Sequence, residues 1–187
     1  MIENSALLVI DMQNDFVKNE SSPVYIPGSV KIIKNILAVK NFFKSNFQII
    51  IHVVTEHSSE MKYWGKKDIE LNRKYCIENT SGAEIIKELK DSIQNEIIVK
   101  KKFYSGFYDT DLKKKLKNYK IENLYFSGLT TGCCVSSTAR DAYNFGYNLF
   151  FIRECMTSSS EDSHNNELFF FQKSLGRVVS LSDLINL

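Results

Sequence analysis

Apolar positions fall in short unbroken runs, separated by longer stretches with a helical period. Ala6-Leu7-Leu8-Val9-Ile10 is the first run. Its β-branched members and lack of polar alternation predict a strand buried on both faces, as in a parallel sheet. Five further segments read as strands: Gln48–Val54, Glu96–Val99, Asn123–Ser127, Asn148–Ile152 and Arg177–Ser180. Between them, Val30, Ile33, Leu37 and the Phe42/Phe43 pair mark one face of a helix beginning near Pro27-Gly28-Ser29. Ala83–Leu89, Asp109–Leu116, Cys134–Phe145 and Asp162–Leu175 mark four more. Alternating strands and helices predict the α/β class, with a mainly parallel sheet and helices on both faces.

Two connections, 12–27 and 56–81, are long, charged and without a clear period; the second carries Trp64. Long loops in a compact domain are functional or disordered. The run Lys113-Lys114-Lys115 reads as a solvated helix face.

Composition narrows the function classes. A length of 187 residues suits one domain over 1–187, large enough for a core without disulfide or metal staples. With 43% apolar residues and two prolines, the chain is neither disordered nor collagen-like. Its 24 basic and 22 acidic residues give +2, no basis for a nucleic-acid partner. No apolar run approaches the ~20 residues of a membrane span, and Met1-Ile2-Glu3-Asn4 has no basic n-region of a signal peptide. Cys76, Cys133, Cys134 and Cys155 sit in no CxxC spacing, which predicts a reducing, cytoplasmic location.

Ligands of open α/β sheets bind beyond the carboxyl ends of the strands, and three kinds of reactive group fall at such ends. Asp11 follows the first strand, where an acid is a catalytic candidate or a cap for a neighbouring loop. Lys100, Lys101 and Lys102 follow Val99 and alternate in direction, so at least one points inward. Cys133-Cys134 follow the Asn123–Ser127 strand after the turn Gly128-Leu129-Thr130-Thr131-Gly132. Val135, Ala139 and Ala142 then share a helical face, with Gly146 as the stop. With Thr131 as N-cap, Cys134 stands in the first helical turn, where the helix dipole favours a thiolate and backbone N–H groups can hold an oxyanion. The competing reading is that both thiols are small buried hydrophobes.

Taken together, these segments resemble the isochorismatase-like cysteine hydrolases, which include nicotinamidases, N-carbamoylsarcosine amidases, biuret hydrolases and ureidoacrylate amidohydrolases. The resemblance covers nearly the whole chain. Ala6 to Phe16 is similar to the family's opening strand and catalytic aspartate, and Thr80-x-Gly82-Ala83-Glu84-Ile85 to the start of a mid-chain helix. Lys101-x-x-Tyr104-Ser105-Gly106-Phe107-x-x-Thr110-x-Leu112 resembles the lysine motif. Gly128-x-x-Thr131-x-x-Cys134-Val135-x-x-Thr138-Ala139-x-Asp141-Ala142 resembles the nucleophile motif.

The resemblance implies a three-layer α/β/α sandwich with a six-stranded sheet. Its register implies a triad of Asp11, Lys101 and Cys134, with Cys133 as a neighbour. It also implies an oxyanion hole from the Thr130 and Cys134 amides, and a cis peptide at Leu129–Thr130. The implied activity is hydrolysis of a small amide or ureido C–N bond through a thioester, since family members that cleave vinyl ethers can lack the cysteine. Nicotinamidase and vinyl-ether hydrolysis are the alternatives within the family. From other functional classes come a catalytically silent family member acting as a binding subunit and a thiol-redox protein using Cys133-Cys134, though adjacent cysteines form a strained ring.

Nicotinamidases carry Asp-x-His and a later histidine for a metal. Here the matching stretch is Thr55-Glu56-His57-Ser58-Ser59-Glu60, so neither metal nor other cofactor is expected. His52 reads as a core histidine and His57 as a possible substrate contact. Gln13, Phe16, Trp64, Tyr104 and Phe107 are the candidate substrate contacts, with Gln13 alternatively capping a loop. Glu154 takes a place where the family usually has aspartate. The partner expected is a small amide or ureido molecule, with the protein a homo-oligomer, and Leu168-Phe169-Phe170-Phe171 either core or interface.

Overall fold

The computed structural model describes residues 2–61, 64–90 and 96–186. Among them, six strands form one all-parallel sheet: β1 (Ser5–Ile10), β2 (Ile49–Thr55), β3 (Ile97–Lys101), β4 (Asn123–Leu129), β5 (Asn148–Thr157) and β6 (Arg177–Val179). Their order is β3-β2-β1-β4-β5-β6. The direction of winding therefore reverses between β1 and β4, and such a switch point opens a crevice at the strands' carboxyl ends.

The unbroken apolar run of β1 has a direct cause. Leu7 and Val9 pack into one core with Ile33, Ile36, Val39 and Phe43 of α2 (Ile33–Ser45). Ala6, Leu8 and Ile10 pack into the other. There they meet Leu112 and Leu116 of α5 (Leu112–Asn118), Ala139 and Ala142 of α6 (Ser136–Asn144), and Leu168 and Phe171 of α7 (Glu161–Ser174). Each fully buried Leu or Ile contributes ~1.5–3 kcal/mol, so a polar residue on either side would cost stability. Smaller helical pieces complete the chain: α1 (Asn14–Val17), α3 (Lys66–Glu70), α4 (Lys87–Lys90) and α8 (Leu181–Ile185).

The structure departs from the sequence pattern in several places. The helix expected over Ala83–Leu89 is reduced to a 3-10 turn at Ser81–Ala83 and the short α4. Here the chain is stitched to α1 instead: Asn14 N donates to Glu84 O and Ile86 N to Met12 O. Strand β5 runs on to Thr157, with a register shift opposite Phe126 and Gly128. Glu154 thus lies within a strand, and its Oε2 accepts from Leu181 N at the start of α8. In the Leu168–Phe171 run, Leu168 and Phe171 are core, Phe170 lies under the Arg140 guanidinium and Phe169 is 70% exposed.

Beneath α2 lies a buried polar cluster. Lys40 Nζ is 2.9 Å from Glu96 Oε2 and 3.3 Å from His52 Nε2, and it donates to the Leu89 carbonyl. His52 Nε2 also meets Glu96 Oε2 at 2.5 Å. His52 is accordingly a satisfied core residue.

Candidate active site

The site forms where β1, β3 and β4 end. Asp11 leaves β1 with φ of 53°, a left-handed conformation that aspartate tolerates better than most residues, and its amide donates to Val53 O. Its carboxylate is fully buried. Gly128, on the neighbouring strand, has φ of 104°, and a Cβ there would stand 2.0 Å from Ile10 O. Only glycine lets β4 pass this close to the strand end that presents Asp11.

Lys101 is the inward member of its lysine run. Lys100 faces outward and pairs with Glu56 at 2.7 Å, whereas Lys101 is 2% exposed. Its Nζ lies 3.0 Å from Asp11 Oδ2, 3.4 Å from Cys134 Sγ and 2.7 Å from Thr55 Oγ1. Thr55 Oγ1 donates in turn to Asp11 Oδ1 at 2.8 Å. Burial works against the Lys101 charge, but Asp11 and Cys134 outweigh it and hold the ammonium above its ordinary range.

Cys134 sits in a wide π-type turn, Thr131–Val135, that leads directly into α6. Thr131 is not the N-cap expected from sequence. Thr130 takes that place in extended conformation, and its carbonyl accepts from Cys133 N and Val135 N. The Thr131 hydroxyl instead joins Thr157 O and His164 Nδ1, tying the turn to β5 and α7. The implied cis bond at Leu129–Thr130 is also absent: the peptide bonds of the described residues are all trans. The Cys133 thiol, burial and the Asp11 carboxylate all raise the Cys134 thiol well above its usual range, with Lys101 opposing them.

The other motif residues tie the lysine loop to the nucleophile helix. Ser105 Oγ donates to Asp141 Oδ2, and Gly106 N donates to Thr138 Oγ1, whose own proton goes to Cys134 O at 2.7 Å.

Both cysteines, Lys101, Thr55 and Thr130 line one cavity of about 560 Å³, within the usual range for small-molecule sites. Of the candidate substrate contacts, Phe16 and Tyr104 line it. The other three are engaged elsewhere. Gln13 is buried, with Nε2 donating to Thr55 O and Ala83 O and Oε1 accepting from Thr55 N. It holds the backbone of Thr55 and does not line the cavity. Trp64 is buried, its ring stacked on His57 at 4.0 Å and its Nε1 donating to Ser58 O. Phe107 packs on Phe145 and Tyr147. His57 is buried, and burial together with Lys101 lowers its titration to about 4, so it is neutral.

No three His, Cys, Asp or Glu side chains converge on a metal position among the described residues. In the stretch Thr55-Glu56-His57, Thr55 bonds Asp11 and Lys101, Glu56 pairs with Lys100, and the His57 ring stacks on Trp64 with its Nε2 buried and without a hydrogen-bond partner among the described residues. No helix among the described residues is long and apolar enough to cross a membrane.

Sequence reasoning missed Thr55, whose β-branched side chain reads as an ordinary strand residue. It also missed the cavity residues Asp68, Arg73 and Tyr75, which lie in the aperiodic 56–81 segment.

Residues 5–183 match the isochorismatase domain. The chain belongs to the isochorismatase family. Its relatives include the probable inactive nicotinamidase of Arabidopsis thaliana, 29% identical over 171 residues, covering 86% of this chain and 84% of that one. The nicotinamidase of Schizosaccharomyces pombe is 29% identical over 214 residues, covering 96% and 94%. Among solved structures, an isochorismatase-like hydrolase from Alkaliphilus metalliredigens superposes with a TM-score of 0.87 at 28% identity, covering 97% of each chain. The six-stranded parallel sheet with helices on both faces is thus the fold of isochorismatase-family hydrolases.

Proposed function

We propose that the protein is a cysteine-dependent amidohydrolase that cleaves a small amide or ureido C–N bond through a thioester. The observation that carries this reading is the meeting of Asp11, Lys101 and Cys134 around one ammonium at the cavity floor. Asp11 takes the Cys134 proton, and the thiolate attacks the substrate carbonyl. Lys101 offsets the negative charge as it moves from carboxylate to sulfur. The amides of Thr130 and Cys134 receive the oxyanion. Asp11 returns the proton to the leaving nitrogen, and an amine or ammonia departs. Water, giving its proton to Asp11, adds to the thioester, and the thiol leaves with that proton to restore the enzyme. Similarity to a nicotinamidase supports C–N hydrolysis as the bond type.

The test is ammonia release from ureidoacrylate analogues, N-carbamoyl amino acids, biuret and nicotinamide, with Cys134→Ala as the blank. A Cys134-dependent signal on one compound is expected. Silence across the panel would favour a binding role, as would befit a relative of a probable inactive enzyme. The reading extends to a homo-oligomer, supported by the exposed Phe169; a monomeric mass in light scattering at micromolar concentration would refute it.

A further inference from the structure

Away from the thiol, the charged groups of the cavity wall are unbalanced. Lys66, Lys67, Arg73 and Lys102 stand against one acid, Asp68. Asp68 is fully engaged: Oδ1 meets Arg73 Nη2 at 2.7 Å and Oδ2 accepts from the Tyr75 hydroxyl at 3.2 Å. Lys67 pairs with Glu70, and Lys101 is matched by Asp11. Among the described residues, no carboxylate pairs with Lys66 or Lys102. The Arg73 Nε is buried with no hydrogen-bond partner.

On the reading that Cys134 attacks an amide-type carbonyl here, we propose that the substrate is an anion: a small amide or ureide bearing a carboxylate, received by Arg73 and Lys102. A guanidinium held at Nη2 by Asp68 is pre-oriented, and its planar fork suits a carboxylate better than a lone ammonium does. Excess positive charge within low-dielectric walls concentrates anions in the cavity. Phe16, Tyr75 and Tyr104 supply apolar wall for the carbon spacer. A neutral amide would bring no charge to offset the Arg73 and Lys102 cations. A cationic one would find Asp68 already occupied and the remaining charges repulsive.

Calorimetry on Cys134→Ala protein separates binding from turnover. The probes are succinamate, glutaramate and N-carbamoylglycine, each beside its methyl ester. The acids should bind at least ~10-fold tighter than the esters. That preference should shrink about tenfold in Arg73→Gln and in the solvent-facing Lys102→Gln, and weaken with added salt. Esters binding as tightly as acids, or a preference untouched by both substitutions, would overturn the proposal; so would binding of neither at millimolar concentration. Ammonia release by the unmodified protein tests the underlying reading separately. Acids that bind tightly but yield no ammonia would refute the amidohydrolase and leave the anion site. Esters cleaved by Cys134 as fast as the acids would refute the anion site and leave the amidohydrolase.

Discussion

Lys101 and Lys40 are both almost wholly withdrawn from solvent, and each meets a carboxylate, at 3.0 and 2.9 Å. Around Lys40 the second carboxylate oxygen of Glu96 meets Lys44, His52 fills the remaining approach, and α2 and the sheet cover the whole. Around Lys101 the arrangement stays open. A thiol stands 3.4 Å from its ammonium, and a cavity begins there. Burying two charges demands a partner in either case. A buried lysine–carboxylate pair is therefore no sign of chemistry by itself. A nucleophile and a vacant volume at the pair distinguish the two regions.

Substitutions should separate the regions cleanly. The largest effect is expected at the nucleophile: Cys134→Ala abolishes ammonia release, while Cys133→Ala retains most of the rate. Equal loss in both would move the nucleophile. Asp11→Asn should cost ~10²–10⁴-fold in kcat of the folded enzyme, the range for a positioned acid–base group, and some stability as well, because the buried Lys101 loses its carboxylate.

In the closed cluster the outcome reverses. Lys40→Met leaves Glu96 without its deepest partner and should cost ~3–5 kcal/mol in denaturant unfolding, with kcat of the folded enzyme unchanged. A fall in kcat there, without loss of stability, would erase the distinction. Replacing the pair together, Lys40→Met with Glu96→Leu, should recover most of that stability.

Thr55→Val tests the bridge between Asp11 and Lys101. Removing a hydroxyl bonded to both charged groups should lower kcat ~10–100-fold with little change in KM.

The mildest effect concerns pH. Burial above all lowers the His52 titration below 6.5, so only the unfolded chain gains its proton just under that pH, and stability falls as pH falls. Glu96 acts lower down. Burial would raise its carboxyl, but hydrogen bonds from His52, Lys44 and Lys40 bring it down to about 2, so its contribution is present above ~4.5 and lost towards 2. His52→Gln should flatten the stability slope just below pH 6.5 by up to ~1.4 kcal/mol per pH unit, read from urea melts. An unchanged slope would place the pH dependence elsewhere.

How much of this was legible in the sequence follows from how local each signal is. Each strand announces itself in four to seven consecutive residues, so the sheet and the acid, lysines and cysteines at its rim could be read directly, whereas the choice of Lys101 among three lysines and of Cys134 over Cys133 came only from the family resemblance. Whether Gln13 turns to a ligand or to Thr55, 42 positions away, depends on tertiary placement alone. The same holds for Lys40, His52 and Glu96, which the sequence places apart, on a helix, within one strand and at the start of another. Trp64 and Phe107 were as apolar as expected, but an aromatic ring fits a core as well as a cavity wall.

The 58–75 segment leaves and returns through a narrow neck. His57 bridges Ile77, with His57 N donating to Cys76 O and Glu78 N to His57 O. Asp15 fastens that neck to α1 by accepting from Cys76 N, and a Cβ on Gly82 would collide with its carboxylate at 2.2 Å. Every cavity charge outside the reaction centre except Lys102 comes from within this loop. Because doubling a loop's length adds only ~0.6 kcal/mol of closure entropy, the segment can lengthen, shorten or exchange its side chains while the neck holds. It amounts to an interchangeable cassette: the protein could be re-addressed to new molecules by grafting between His57 and Cys76, leaving the strand ends that break the bond untouched.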